Sequence, residues 1–332
     1  GLRVNGRLSE AFSGVVQVIS EARYDKTFTP YVSMAHLKWQ AMPQLAIRAG
    51  RIPLPTYLIS DYQKVGYSTP WVRPPTEVYQ FNPLTFCDGG DVVWKSHLGG
   101  MALSVFGLYG TTRADLPAGE GESTFKGKNL ITLGLTGEVG SSVWRVAYMQ
   151  LSATLVDTDL DAPDGPYALL RTLPAAYGGN PALADQFQLR DDRTTYLSLG
   201  YSYDPGDWFL MAEVARNGGE ENILLHATAG YLTAGWRLGA WTPYLTVAKK
   251  QTDSPTKNAN PIVQAMIAGG DHAQQSFSAG LRWDCWKNVA IKAQFDQVNH
   301  PTGAVGAISN RQPGFKPGES YHLTSVSVNF VF

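Results

Sequence analysis

Ser320-Tyr321-His322-Leu323-Thr324-Ser325-Val326-Ser327-Val328-Asn329-Phe330-Val331-Phe332 changes character at every second residue and ends on an aromatic ring. Read in period two, His322, Thr324, Val326, Val328, Phe330 and Phe332 share one row, and Leu323, Ser325, Ser327, Asn329 and Val331 share the other. Toward the end the first row is wholly apolar, while the second is mostly small and polar. Chain ends of water-soluble proteins fray into solvent, so an apolar row carried to Phe332 asks for another environment. Lipid against that row, with the strand closing a barrel, supplies it.

Composition agrees with that environment. The chain has 332 residues, 44% hydrophobic and 17% charged, with a net charge of −1. That length suits one large all-β domain or two ordinary ones. Charged residues fall below the usual ~25%, and no stretch approaches the ~18 apolar residues of a spanning helix. A membrane protein without such a run hides its lipid surface in alternation, as a β-barrel does. Near-neutral charge gives no reason to expect a nucleic-acid partner. Gly1-Leu2-Arg3-Val4-Asn5-Gly6-Arg7 has neither the apolar core nor the cleavage pattern of a signal peptide. For an exported chain, the leader is expected to have been removed or not included.

Working back from the last strand, period-two segments recur, joined alternately by short and long connections. Tight joints fall at 9–11, 41–44, 98–100, 137–140, 204–207, 238–240 and 284–288, rich in turn residues. Long stretches at 53–90, 112–127, 156–192, 216–222, 252–271 and 299–318 lie between them. Short turns on one rim and long loops on the other are the layout of an outer-membrane barrel. Strands are expected near 1–8, 12–22, 31–40, 44–53, 90–97, 101–111, 128–137, 141–155, 193–204, 207–216, 222–237, 241–252, 272–284, 288–298 and 319–332. Single-chain bacterial barrels have even strand numbers. The odd count and the order of turns imply one further strand ahead of residue 1, giving about sixteen in a single domain.

Alternation alone cannot separate a membrane barrel from a soluble sandwich, whose polar row faces out. Three features favour the barrel. Trp39, Trp144, Trp236, Trp241 and Trp283 stand beside the short turns, as an interfacial girdle requires, and Phe330 and Phe332 extend it. Strands often reach the ten or so residues that a tilted spanning strand needs. The opposite row carries small glycines and serines, leaving a lumen open.

The most distinctive stretch is 53–90, dense in Tyr, Trp and Pro. Prolines limit its freedom, and amphipathic aromatics bury their bodies with a polar tip wet. It is expected either to fold back and narrow the barrel or to pack on a rim or a neighbouring subunit. Arg48-Ala49-Gly50-Arg51, Ser60-Asp61-Tyr62 through Val65-Gly66-Tyr67, and Pro70-Trp71-Val72-Arg73-Pro74-Pro75-Thr76-Glu77-Val78-Tyr79 together resemble a group of proteobacterial outer-membrane porins. The likeness spans the whole chain and includes the terminal Phe332. It implies residues 53–90 as the constriction loop, a homotrimer in the Gram-negative outer membrane with lipid and lipopolysaccharide around it, and passive diffusion of small hydrophilic solutes. General porins set an arginine ladder against an acidic loop, and no dense ladder can be assembled from the sequence.

By parity Arg3, Arg7, Lys38, Arg48, Lys95, Arg145, Arg237, Arg282 and Lys292 point inward, against Glu21, Asp91, Glu213 and Asp296. An excess of positive charge in a pore favours anions. Lys38 and Arg48 are the wall candidates, with Arg51 beside them and Arg145 and Arg282 farther along. Asp61, Lys64, Arg73, Glu77, Tyr62 and Tyr67 are the candidates on the loop. An alternative is a substrate-specific channel with an aromatic track through Tyr57, Tyr62, Tyr67, Trp71 and Tyr79. Another is a structural or adhesive barrel with a plugged lumen.

No catalytic, cofactor or metal pattern emerges. Asp157-Thr158-Asp159-Leu160-Asp161-Ala162-Pro163-Asp164-Gly165 has Ala162 where a calcium loop needs glycine, and it lacks the later glutamate. A solvated acidic loop is expected, with a short helix or two following. The six histidines have no metal spacing, and His322, outward beside Thr324, reads as interfacial. Cys87 and Cys285 lie at opposite rims, ~25 Å apart against the ~7 Å a disulfide allows, so no bond between them is expected.

Overall fold

The computed structural model describes residues 1–331 except 23–26, 118–121, 221–222, 254–257 and 309–313, and Phe332 lies outside the described residues. Among the described residues fifteen strands form one sheet in strict sequence order, every neighbouring pair antiparallel. They are β1 (Leu2–Arg7), β2 (Phe12–Ile19), β3 (Tyr31–Met42), β4 (Leu45–Pro53), β5 (Phe86–Leu98), β6 (Met101–Pro117), β7 (Glu122–Val139) and β8 (Ser142–Asp157). There follow β9 (Arg190–Tyr203), β10 (Trp208–Gly219), β11 (Ala227–Trp236), β12 (Trp241–Thr252), β13 (Gln274–Trp286), β14 (Val289–Asn299) and β15 (Tyr321–Phe330). No β1–β15 pairing joins the sheet edges among the described residues. No described helix is long and apolar enough to cross a membrane.

Each short joint is a tight hairpin built on turn chemistry. Gly99, Gly140 and Asn288 take positive φ of 59°, 54° and 63°, the twist that matches right-handed strands across a two-residue turn. The strands run farther than the alternation suggested. Residues 112–117 and 122–127, within the stretch expected as a loop, instead continue the β6–β7 ladder, with Arg113 opposite Lys126 and Leu116 opposite Ser123. Phe125 there is buried, and Asp115 accepts hydrogen bonds from Arg113 and Thr124. The insertion is likewise trimmed to 54–85, because Pro53 pairs with Phe86 and Ile52 with Cys87.

The row opposite the insertion is apolar and uncovered: Leu133 is 55% exposed, Leu197 51%, Val247 51% and Phe330 65%. A soluble sandwich would show polar side chains there. Trp39, Trp236, Trp241 and Trp283 stand exposed on this row near the short turns. Trp39 stacks on Phe12 and Trp241 on Trp283, centroids 6.3 and 5.0 Å apart. Trp144 is half-buried because Gly137 offers no side chain; a Cβ there would lie 2.3 Å from the indole. Trp94 and Trp208 extend the belt beyond what the sequence suggested.

Buried apolar residues lie on the inner rows and against the insertion. Leu54, Tyr57, Leu58, Ile59, Trp71 and Val78 pack with Met149, Phe209, Tyr231 and Tyr244, each large side chain contributing about 1.5–3 kcal/mol by leaving water. Where the insertion leaves β4 and enters β5, Gly50, Gly89 and Gly110 align across three strands. A Cβ on Gly89 would meet the Tyr109 carbonyl at 2.1 Å, so only glycine permits that approach.

At the long-loop end, α2 (Pro166–Thr172), α3 (Pro181–Phe187) and α4 (Pro261–Gly270) pack through Leu170, Phe187, Val263 and Ile267. Asn180 and Asn260 cap α3 and α4, each followed by a proline at the first helical position. The short helices expected after residue 165 are α2 and α3.

Candidate functional site

Residues 54–85 cross the concave face of the sheet. Consecutive turns carry Tyr57 to Val65, a 3-10 turn spans Gly66–Ser68, and α1 (Thr76–Tyr79) follows Pro74 and Pro75. So irregular a backbone, buried, must find partners for its polar groups, and the inner rows of eight successive strands provide them. Arg145 on β8 donates to the Tyr57 carbonyl and to Asp61, both at 3.2 Å. Ser198 on β9 donates to the Thr56 carbonyl. On β10 the Glu213 carboxylate accepts the Leu58 N–H at 2.9 Å and the Tyr79 hydroxyl at 2.7 Å. Trp71 Nε1 reaches Thr233 on β11 and Thr246 on β12 at 3.3 and 3.1 Å.

Arg282 on β13 donates to the Tyr67 carbonyl at 2.6 Å. On β14 Lys292 donates to the carbonyls of Gly66, Thr69 and Trp71, while Gln294 accepts the Val72 and Arg73 N–H groups. Arg73 closes the series on β15, donating to Ser325 at 2.8 Å, with Asp296 3.6 Å away. At the far side Lys64 meets Glu21, beyond β2, with both oxygens at 2.8 Å, and Tyr31 donates to the same carboxylate. Burial pushes the Glu21 carboxyl up, but the Lys64 hydrogen bond and charge and the Tyr31 hydroxyl outweigh it and leave it below its ordinary value.

The first five strands bring together a different set. Register places Arg7 opposite Ser13, Ser13 opposite Lys38, Lys38 opposite Arg48, and Arg48 opposite Asp91. Three cations and one carboxylate thus stand in one cross-strand row, at the ~4.8 Å strand spacing. Arg48 Nε lies 2.9 and 3.0 Å from the two oxygens of Asp91, whose side chain is 1% exposed. Arg7, Lys38 and Lys95 have no acidic partner among the described residues. The ladder that linear spacing could not assemble comes from register across strands far apart in sequence.

Other expected residues fall differently. Arg51, three positions beyond Arg48, belongs to the opposite row; it pairs with Asp88 at 2.7 Å and lies over Phe86. The odd separation inverts its face, so it is withdrawn as a lumen residue. Glu77 is fully buried and accepts from Gln274 at 2.8 Å. The continuous aromatic track does not form: Tyr57, Trp71 and Tyr79 are packed into the wall around Tyr231, leaving Tyr62 exposed and Tyr67 beneath Arg282. Glu21, Glu213, Thr233, Thr246 and Gln294 anchor the insertion without having been singled out for it. Parity marked some of them inward, but their partners are ~100 residues or more away in most cases, and no local signal joins them.

Cys87 and Cys285 are both free. In the acidic loop Asp157 accepts from the Asp159 and Leu160 N–H groups, a local turn, and no cluster of three metal-ligating side chains occurs among the described residues. A cavity of about 350 Å³ lies beneath the insertion, lined by Tyr62, Trp71 and the ion pairs Asp204–Arg237 and Arg282–Asp284.

No protein-family model matches the chain, and no curated protein matches it by sequence. Solved structures do. An anion-selective porin from Comamonas acidovorans aligns over 98% of this chain and 86% of its own, at 12% identity and a TM-score of 0.56. OmpF of Salmonella typhi, in complex with daunomycin, aligns over 98% and 88% at 11% identity and 0.56. OmpT of Vibrio cholerae, in a trimer form, aligns over 98% and 89% at 9% identity and 0.55. The fold is that of the outer-membrane porins. Within that porin fold, the insertion packs along β8 to β15, and the basic row lies on β1 to β4.

Proposed function

We propose that the protein is a channel of the Gram-negative outer membrane, through which small hydrophilic solutes diffuse passively, with anions preferred and no chemistry performed on them. The observation that carries this reading is the division of the inner surface. The insertion occupies the polar groups of β8 to β15, while the row of Arg7, Lys38 and Arg48 remains uncovered on β1 to β4. Residues 54–85 act as the constriction, with Asp61, Tyr62 and Lys64 the insertion's exposed edge. Opposed walls in a narrow, low-dielectric passage raise the local concentration of the ion that the wall attracts. The tryptophans and Phe330 rest in lipid at the interface, and the working assembly is a homotrimer, the form in which one structural relative is described.

Single-channel recording in planar bilayers under a salt gradient tests the reading. Ohmic steps with chloride more permeant than potassium are expected. Clear cation preference sinks the anion assignment, small steps blocked by one solute indicate a substrate-specific channel, and silence indicates a plugged structural or adhesive barrel. The filling of half the inner surface favours a narrow passage, so modest steps are expected.

A further inference from the structure

We propose that the cavity beneath the insertion binds a neutral, polyhydroxylated solute of about monosaccharide size. It is enclosed by the insertion between Ile59 and Trp71 and by the short-turn ends of β9 to β13. Its volume of about 350 Å³ falls at the lower end of the ~300–1,000 Å³ typical of small-molecule sites. The inference deepens the channel reading, on which it rests for the route by which a solute arrives.

The walls are fixed by their neighbours. Phe209 leans across its register partner Gly235, where a Cβ would fall 2.4 Å from the ring, so a larger residue there would drive the phenyl group from its place. The Arg237 guanidinium stands 5.4 Å from the centroid of the same ring. Trp71 is held through its Nε1 and packs edge-on against Tyr231, centroids 5.9 Å apart. With Ile59 and Met211 these rings give the cavity an apolar floor, on which the C–H face of a ligand ring can rest.

Electrostatics identify the occupant. Among the described residues four charged side chains line the cavity, two of each sign, and each guanidinium is already paired. Arg237 donates to the two oxygens of Asp204, at 2.7 and 2.6 Å, and to the Gly206 carbonyl. Arg282 gives Nε and Nη2 to Asp284 and Nη1 to the Tyr67 and Thr69 carbonyls. An anion would have to displace a carboxylate from charge-assisted hydrogen bonds, and a cation would have to displace a guanidinium. A neutral solute does neither. Each carboxylate keeps lone pairs for further donors, and the hydroxyls of Ser68, Ser202 and Thr242 are spent on no other group among the described residues. Acceptors and hydroxyls set around an apolar floor suit a molecule with several hydroxyl groups and a C–H face. The basic row of β1 to β4 sorts solutes by charge; this cavity sorts them by hydrogen bonding.

Saturation-transfer NMR tests it on the protein in an amine-oxide detergent, which carries no sugar headgroup, with D-glucose, myo-inositol, alanine and succinate as probes. Glucose or myo-inositol should receive saturation from the barrel, and neither alanine nor succinate should displace it. Ser202→Ala with Thr242→Val should weaken binding by about fivefold or more. Asp204→Asn leaves Arg237 without its counter-charge and should invert the preference, so that succinate displaces the polyol; a merely structural role for the pair would leave the order of probes unchanged. Lys249→Gln, an exposed cation on the outward row of β12, should bind as the parent does. Unchanged heat-modifiable gel migration reports a folded barrel in each variant. No transfer to either polyol, displacement by alanine or succinate in the parent, or parent-like binding by the double variant overturns the proposal. Conductance is a separate readout. A barrel that binds the polyol but passes no current loses the channel reading alone, and one that conducts but binds neither polyol loses this site alone.

Discussion

Arg48 and Asp91 hold opposite charges on neighbouring strands, and their unequal exposure, 20% against 1% for the side chains, makes the arginine the more telling target. Arg48→Gln leaves a buried carboxylate without its partner, which costs about 3 kcal/mol, and removes one cation from the row shared with Lys38 and Arg7. Urea titration of the refolded barrel should show the loss, and the reversal potential should move toward cations; Arg48→Gln combined with Asp91→Asn should recover most of the stability. An unchanged reversal potential in the single variant would remove Arg48 from the selective wall. Glu21 offers a pH test. Its carboxyl titrates below the ordinary 4.5 because of Lys64 and Tyr31, so the Lys64 tether is fully present above that value and is lost as pH falls through the lower folded one. Current noise should rise only in that acid range, and Glu21→Gln should show the same noise at neutral pH. Sequence parity finds the inward position of Arg48, and applied three residues on it sets Arg51 on the other face; Arg51 was a candidate only for its nearness to Arg48 in the run, and the ladder returns it to the outward row. Glu21 could be named inward, but not tied to Lys64, since the contact depends on where the insertion lies.

The insertion is held less by any one contact than by a succession of anchors, and their removal should be graded. Lys292 gives its ammonium to three carbonyls of residues 66–71, a hub that no single local interaction replaces. Lys292→Met keeps the length of the side chain and loses all three bonds, so residues 66–71 should loosen. Larger and noisier conductance steps are expected, along with faster amide exchange in the insertion; quiet, parent-sized steps would mean that Trp71 and Arg282 suffice. Trp71→Phe retains most of the packing but loses the bonds to Thr233 and Thr246, a change of about 1 kcal/mol. Trp71→Ala opens a cavity as well and should cost about 3–5 kcal/mol. At this scale the sequence was highly legible where side chains alternate, because half-buried strands imprint a period of two. It was less legible at the bulges beside Asn129 and Asp191, where one extra residue inverts the pattern. The extension of β6 and β7 was hidden too, since Arg113, Lys126 and Gly127 carry loop-like composition and owe their pairing to the ladder across from them.

Over the whole molecule, strand direction constrains the one junction left open. Successive strands alternate in sense, so β1 and β15, both odd in the order, run the same way. Direct closure between them would be a parallel pair in an otherwise antiparallel sheet. In a bilayer neither edge can stay unpaired, because no water is present to satisfy its N–H and C=O groups. We propose that one further ascending strand lies between them, bringing the count to the even number the alternation of short and long connections implies. Cysteines introduced by Val4→Cys and Val328→Cys, both on the outward row, distinguish the two closures. With a strand interposed their Cα atoms are about 10 Å apart, twice the strand spacing, beyond the reach of a disulfide. With direct pairing a register exists in which neighbouring outward cysteines fall within ~7 Å, so a scan of Leu2 and Val4 against Val326 and Val328 would yield oxidised pairs. The expected result is no disulfide at any of the four combinations in the membrane-inserted protein, with a longer bifunctional thiol reagent bridging at least one. Efficient oxidation of any pair without that reagent would mean a fifteen-stranded barrel closed by a parallel seam.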